Sequence, residues 1–108
     1  MKKVTVLRLS GCMFCEDLIE GLDNIGLEYE AYDADEHSKF ADNIEAIVDT
    51  NAYPIVIVGM ANENPYFLFR AEVYSEVGEV PIEEGVKVGT LSIGEMIEKI
   101  LKLTEYAV

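Results

Sequence analysis

The sequence predicts an α/β fold in one small domain, with elements in the order β-α-β-α-β-β-α, and three observations carry the prediction. The chain has 108 residues, half of them hydrophobic. That suits a single core able to fold without disulfide staples, and it is too short for a TIM barrel or a two-lobed dehydrogenase. The run Ile55-Val56-Ile57-Val58 is continuously apolar, as a strand buried on both faces should be. Three longer stretches instead place apolar residues at helical spacing, with extended runs between them.

Residues 3–9 read as the first strand, with Val4, Val6, Leu7 and Leu9 apolar. The apolar part of this opening alternates with Thr5 and Arg8, and no small-residue cleavage site follows. It therefore reads as a strand of a cytoplasmic protein rather than a leader. Ser10-Gly11 breaks the strand. A helix over 13–25 follows, with Cys15, Leu18, Ile19, Leu22 and Ile25 inward, Glu16, Asp17, Glu20 and Asp23 outward, and Gly26 as its cap. An alternating strand covers 28–33. A second helix spans 38–49 with Phe40, Ile44, Ile47 and Val48 inward and Asp35 or Ser38 as its cap. His37, just before it, is expected to be a solvent-exposed cap residue without a catalytic role.

The loop Thr50–Pro54 leads into the strand over 55–58, which stops at Gly59. Residues 66–73 read as a strand, with Tyr66, Phe67, Leu68 and Phe69 as sheet core, and 86–88 as another. The stretch between them, with Gly78, Pro81 and Gly85 among glutamates, reads as a turn or mobile loop. The last helix covers 92–104, with Ile93, Met96, Ile97, Ile100 and Leu101 inward and Ser92 paired with Glu95 as a capping box. No repeat or linker divides the chain, so 1–108 is expected to be one domain.

Eight Lys and Arg against 21 Asp and Glu give a net charge of −13. A phosphate-neutralising nucleic-acid surface is disfavoured, as is an anionic membrane surface. No apolar run reaches the roughly 18 residues of a membrane helix. The acidic excess reads as a solvated surface that keeps the protein soluble, and a monomer is expected.

Cys12 and Cys15 are the two cysteines and form one C-x-x-C. A zinc or iron–sulfur centre takes about four protein ligands. Two thiols and His37 fall short of that, so no metal is expected. A structural disulfide would close a very short loop and gain little entropy. A redox-active dithiol fits best, provided that the pair opens a helix after a strand of a βαβ unit.

With Cys12-Met13-Phe14-Cys15 after the first strand, Tyr53-Pro54 before the apolar strand, and a glycine turn at Gly89-Thr90 before Ser92, the sequence resembles a glutaredoxin, within the thioredoxin superfamily. The resemblance covers about 1–58 and 86–108. It implies a thioredoxin-like fold: a central mixed four-stranded sheet flanked by three helices. The wide separation of Pro54 from Gly89 makes 60–85 an insertion before the last helix. The departures concern the surroundings of the thiols. Met13 stands where dithiol glutaredoxins usually have proline, Leu9 stands where they have a lysine, and Ala52-Tyr53-Pro54 replaces T-V-P.

A helix N-terminus favours an anion through its unpaired N–H groups and its dipole. Cys12 is therefore expected to attack a disulfide and Cys15 to resolve the mixed disulfide. The resemblance further implies a cis Tyr53–Pro54 bond, which would present the Tyr53 backbone to an extended substrate. It makes Phe14, Tyr53, Pro54, Gly89, Thr90 and Ser92 candidate substrate- or glutathione-binding residues. The core and capping roles of Phe14, Tyr53 and Ser92 stand beside that reading.

The expected function is glutathione-dependent reduction of protein disulfides or glutathione mixed disulfides. Glutathione would be the electron donor, and ribonucleotide reductase is among the protein partners the resemblance suggests. A redoxin recycled by a flavoprotein reductase is the main alternative. A non-catalytic redox-sensing or adaptor domain and a dimer sharing an iron–sulfur cluster stand behind it.

Overall fold

The structure, a computed structural model, describes residues 2–60 and 64–106. In chain order the elements are β1 (Val4–Arg8), α1 (Met13–Ile25), β2 (Glu30–Asp33), α2 (Ser38–Val48) and β3 (Ile55–Val58). They continue with β4 (Tyr66–Arg70), a 3-10 turn at Tyr74–Glu76, β5 (Gly78–Ile82), β6 (Gly85–Thr90) and α3 (Ile93–Thr104). The α/β class, the central mixed sheet and the three helices agree with expectation. The strand count does not, because the sheet has six strands in the order β2-β1-β3-β4-β6-β5.

One strand of the sheet's outer half was not foreseen and another is longer than expected, and local chemistry explains why. Gly78–Ile82, expected as a turn or mobile loop, is β5, an edge strand paired antiparallel with β6 alone. An edge position tolerates Pro81, which has no N–H to give a neighbour on its free side. The short apolar signal at 86–88 extends to Gly85–Thr90 because β6 lies parallel to β4 on one side and antiparallel to β5 on the other. Tyr66–Arg70, Gly78–Ile82 and Gly85 of the 60–85 stretch are thereby built into the sheet; residues 61–63 lie outside the described residues.

Strand β3 pairs antiparallel with β1 and with β4, and its alternation divides the core. Ile55 and Ile57 join Leu7, Phe67 and Phe69 under Ala41, Ile44 and Val48 of α2. Val56 and Val58 join Val4, Val6, Leu68 and Val88 under Leu18 and Leu22 of α1 and Met96 and Ile100 of α3. Burying each such side chain contributes roughly 1.5–3 kcal/mol. The strand core expected at Phe67, Leu68 and Phe69 is thus observed.

Helix ends largely match the sequence. Gly26 caps α1 in the left-handed region (φ 74°). Ser92 Oγ accepts from the Glu95 N–H at 3.1 Å at the start of α3, and Glu95 Oε2 accepts from the Leu91 N–H at 3.0 Å. At α2, His37 holds the cap position, as expected of it, but makes no side-chain cap bond, and Ser38 is the first helical residue rather than the cap. Asp35 lies two residues before the cap, in a turn where its backbone N–H bonds to Asp33 Oδ1. His37 is exposed, as expected, and lies edge-on to Tyr32.

Gly89 is buried in β6, and a side chain there would collide with the Glu76 carbonyl oxygen of the 3-10 turn. Substituting Gly89→Ala should therefore destabilise the protein by about 1–3 kcal/mol, the range of an overpacked site. Urea unfolding measures this; an unchanged midpoint would show that the turn yields freely.

Candidate functional site: a dithiol beside the Tyr53–Pro54 loop

Strand direction assembles the site. β1, β4 and β6 run one way and β3 the other, so the ends of β1, β4 and β6 meet the start of β3 at one rim of the sheet. The C-x-x-C follows β1, and Tyr53-Pro54 precedes β3. Arg70 ends β4, and Thr90 ends β6.

Cys12 is the N-cap of α1, with extended backbone (φ −86°, ψ 111°), and its Sγ accepts from the Cys15 N–H at 3.2 Å. The sulfur therefore uses one of the N–H groups that a helix start leaves unpaired. Cys12 is partly exposed, whereas Cys15 is fully buried one turn into the helix. Both pack with Leu7, Tyr53 and Ile55 on the α2 side of the sheet.

The Tyr53–Pro54 bond is cis. The Tyr53 ring sits in the core, and its hydroxyl donates to Glu45 Oε2 of α2 at 2.6 Å. The Tyr53 side chain is thus an anchor in the core. Among the described residues the Tyr53 N–H has no hydrogen-bond acceptor.

Arg70 is the residue that the sequence reading missed. Its Nε donates to the Tyr53 carbonyl oxygen at 3.2 Å, and its guanidinium lies 3.7 Å from the centroid of the Phe14 ring. Phe14, 45% exposed, is thus a platform for a cation. One signal was legible: Arg70 is the single Lys or Arg between Lys39 and Lys87. Only the β3–β4 pairing reveals that it reaches the motif.

The remaining candidates are less available. Gly89 and Thr90 belong to β6 rather than to a turn, because β4 and β5 hold that strand on both sides. The 3-10 turn crowds Gly89, and the buried Thr90 hydroxyl donates to the Phe69 carbonyl at 3.2 Å. Ser92 is exposed but engaged as the α3 cap. Leu9 packs half-buried toward the α2-side core, and Arg8 lines a shallow cavity along α1 with Glu16, Glu20 and Asp23. Among the described residues no group of three or more His, Cys, Asp or Glu side chains is placed to hold a metal ion. No helix among them is long and apolar enough to cross a membrane.

Burial pushes the Cys15 thiol up to about 12, and its hydrogen bond with Cys12 adds to this; Arg8 and the Leu9 backbone oppose it more weakly. A raised acid stays protonated longer in the fold than in the unfolded chain. The reduced protein should therefore lose stability as pH rises from about 9 toward 12, with Cys15 as one contributor. The geometry pairs a reachable sulfur with a sheltered, protonated one directly behind it. In a Cys12→Ser variant, iodoacetamide should modify Cys15 at least ~10-fold more slowly at pH 8 than it modifies an exposed thiol. The rate should still be climbing at pH 10; a plateau near pH 9 would contradict this burial.

A family model for glutaredoxins matches residues 4–60, a little over half of the chain. The matched span runs from β1 through β3 and holds Cys12, Cys15 and Pro54, while β4 to α3 lie beyond it. No curated protein matches the chain. Members of the matched family are thiol oxidoreductases that generally use glutathione as reductant. The family match and the fold agree: this chain belongs to the glutaredoxin family.

Proposed function

We propose that the protein reduces protein disulfides or glutathione mixed disulfides by a dithiol mechanism, with glutathione as the electron donor. The observation that carries this reading is the pairing of a partly exposed Cys12 sulfur at a helix N-cap with a buried Cys15 sulfur one turn behind it. In the first step the Cys12 thiolate attacks one sulfur of the substrate disulfide, and the other sulfur leaves as a thiolate that takes up a proton. In the second step Cys15 loses its proton and attacks Cys12 Sγ. The second substrate thiol leaves, and a Cys12–Cys15 disulfide forms. Two electrons pass to the substrate, and two glutathione molecules then restore the dithiol as they become glutathione disulfide.

The roles follow from environment. Cys12 meets the substrate because it is the reachable sulfur. Cys15 is kept protonated by burial until the mixed disulfide brings an electrophilic sulfur next to it. An extended substrate segment would pair with the free Tyr53 N–H. Reduced dithiols of this kind persist in a reducing compartment, which supports a cytoplasmic location.

One contact favours a second reading, recycling by a flavoprotein reductase. Glu95 Oε2 already takes the Leu91 N–H at the start of α3, so a carboxylate arriving there would compete with a resident one.

A coupled assay separates the two. Oxidised protein and a mixed-disulfide substrate are supplied with NADPH and either glutathione plus glutathione reductase or thioredoxin reductase alone. Turnover with the first system is expected. Turnover with only the second would move the donor to the flavoprotein. Cys12→Ser should abolish turnover, and Cys15→Ser should accumulate a mixed disulfide visible as a mass increase. A Cys12→Ser variant as active as the wild type would exclude the dithiol mechanism and leave a non-catalytic module.

A further inference from the structure

We propose that Arg70 is a substrate-binding residue that receives a carboxylate next to the disulfide under attack. The inference rests on the redox reading above and adds a specificity that lies outside the family match, which ends at residue 60.

Three observations define the receptor. Arg70 Nε donates to the Tyr53 carbonyl, which fixes the plane of the guanidinium beside the proline loop. Its face stacks on Phe14, inside the C-x-x-C, at 3.7 Å from the ring centroid. Its outer edge has no carboxylate partner among the described residues: the ion pairs there are Lys3–Glu30 and Lys99–Glu79. In a chain with 21 acidic residues and 8 basic ones, an Arg without a carboxylate beside the reactive thiol is not explained by surface charge balance.

Chemistry specifies the ligand. A guanidinium bound through Nε and stacked on one face keeps its two terminal nitrogens free, and their parallel N–H groups match the two oxygens of a carboxylate. The stacking and the Tyr53 bond also reduce the entropy lost when an anion arrives, since the fork is already oriented. The Tyr53 carbonyl retains a second lone pair, so Arg70 and a substrate N–H can share it. The carboxylate has two possible sources, glutathione itself or an acidic residue flanking the cysteine of a protein disulfide.

Rapid-quench rates of reduced wild type, Arg70→Gln and Arg70→Lys test the proposal on two small disulfides, the dianion 3,3′-dithiodipropionate and neutral bis(2-hydroxyethyl) disulfide. The loss of one charge-assisted contact should make Arg70→Gln ~10-fold slower on the dianion and leave the neutral disulfide within about 2-fold. Arg70→Lys should fall between, since it keeps the charge and loses the fork; its neutral-disulfide rate also controls for folding. Equal slowing of both disulfides by Arg70→Gln, or no slowing of the dianion, overturns the proposal. Wild type that reduces neither faster than free dithiothreitol overturns the redox reading instead. Glutathione disulfide, an Asp-Cys peptide disulfide and its Asn-Cys counterpart then identify the source. A loss confined to glutathione disulfide assigns the site to glutathione; a loss that includes the Asp peptide but not the Asn peptide assigns it to acidic protein partners. A loss on none of them overturns the proposal.

Discussion

β3 constrains the rest of the molecule. Its four residues are fully buried, two on each face, and it hydrogen-bonds on both sides, to β1 and to β4. Shifting its register by one residue would exchange Ile55 and Ile57 with Val56 and Val58 and disrupt both halves of the core at once. The register is therefore fixed by packing, and so is the height at which Pro54 enters the sheet. Because β1 and β4 end where β3 begins, that one constraint also sets where the dithiol and Arg70 stand.

Around this rim, charge is arranged against the general trend of the chain. The acidic surface is a weak, screened background for exposed groups. Arg70 differs because two contacts hold it in place, a hydrogen bond to Tyr53 and the face of Phe14. Tyr53 is itself tied to α2 through Glu45, so the support of the cation extends beneath the sheet to a second helix. At the α3 N-terminus, where the family resemblance directed attention, Ser92 Oγ takes the Glu95 N–H and the Glu95 carboxylate takes the Leu91 N–H. The side of the site nearer β4 thus offers a cation with no carboxylate partner among the described residues, and the side nearer α3 already holds a carboxylate, that of Glu95.

Much of the fold was legible because its signals are periodic and local. Helical spacing located the three helices to within a residue or two at their ends, and the apolar run at 55–58 gave β3 exactly where the ladder requires a doubly buried strand. The Cys12 cap and the Tyr53-Pro54 loop were legible from their motifs. β5 was not: Gly78 and Pro81 signal a turn, and only the presence of β6 beside them makes that segment a strand. Gly89 looked like part of a turn, whereas its lack of a side chain accommodates the Glu76 backbone across a gap in sequence. The reach of Arg70 to the motif was hidden for the same reason, since its contacts span 17 residues to Tyr53 and farther to Phe14.

The outer edge of the sheet has a further consequence. β5 closes the sheet with an exposed Pro81, and its Glu79 turns to Lys99 of α3 at 3.7 Å. A proline there leaves a gap in the row of donors that an added strand would need. Extending the sheet with two strands could have created an adhesive border on which copies stack into fibrils; the proline makes it a poorer template for such growth.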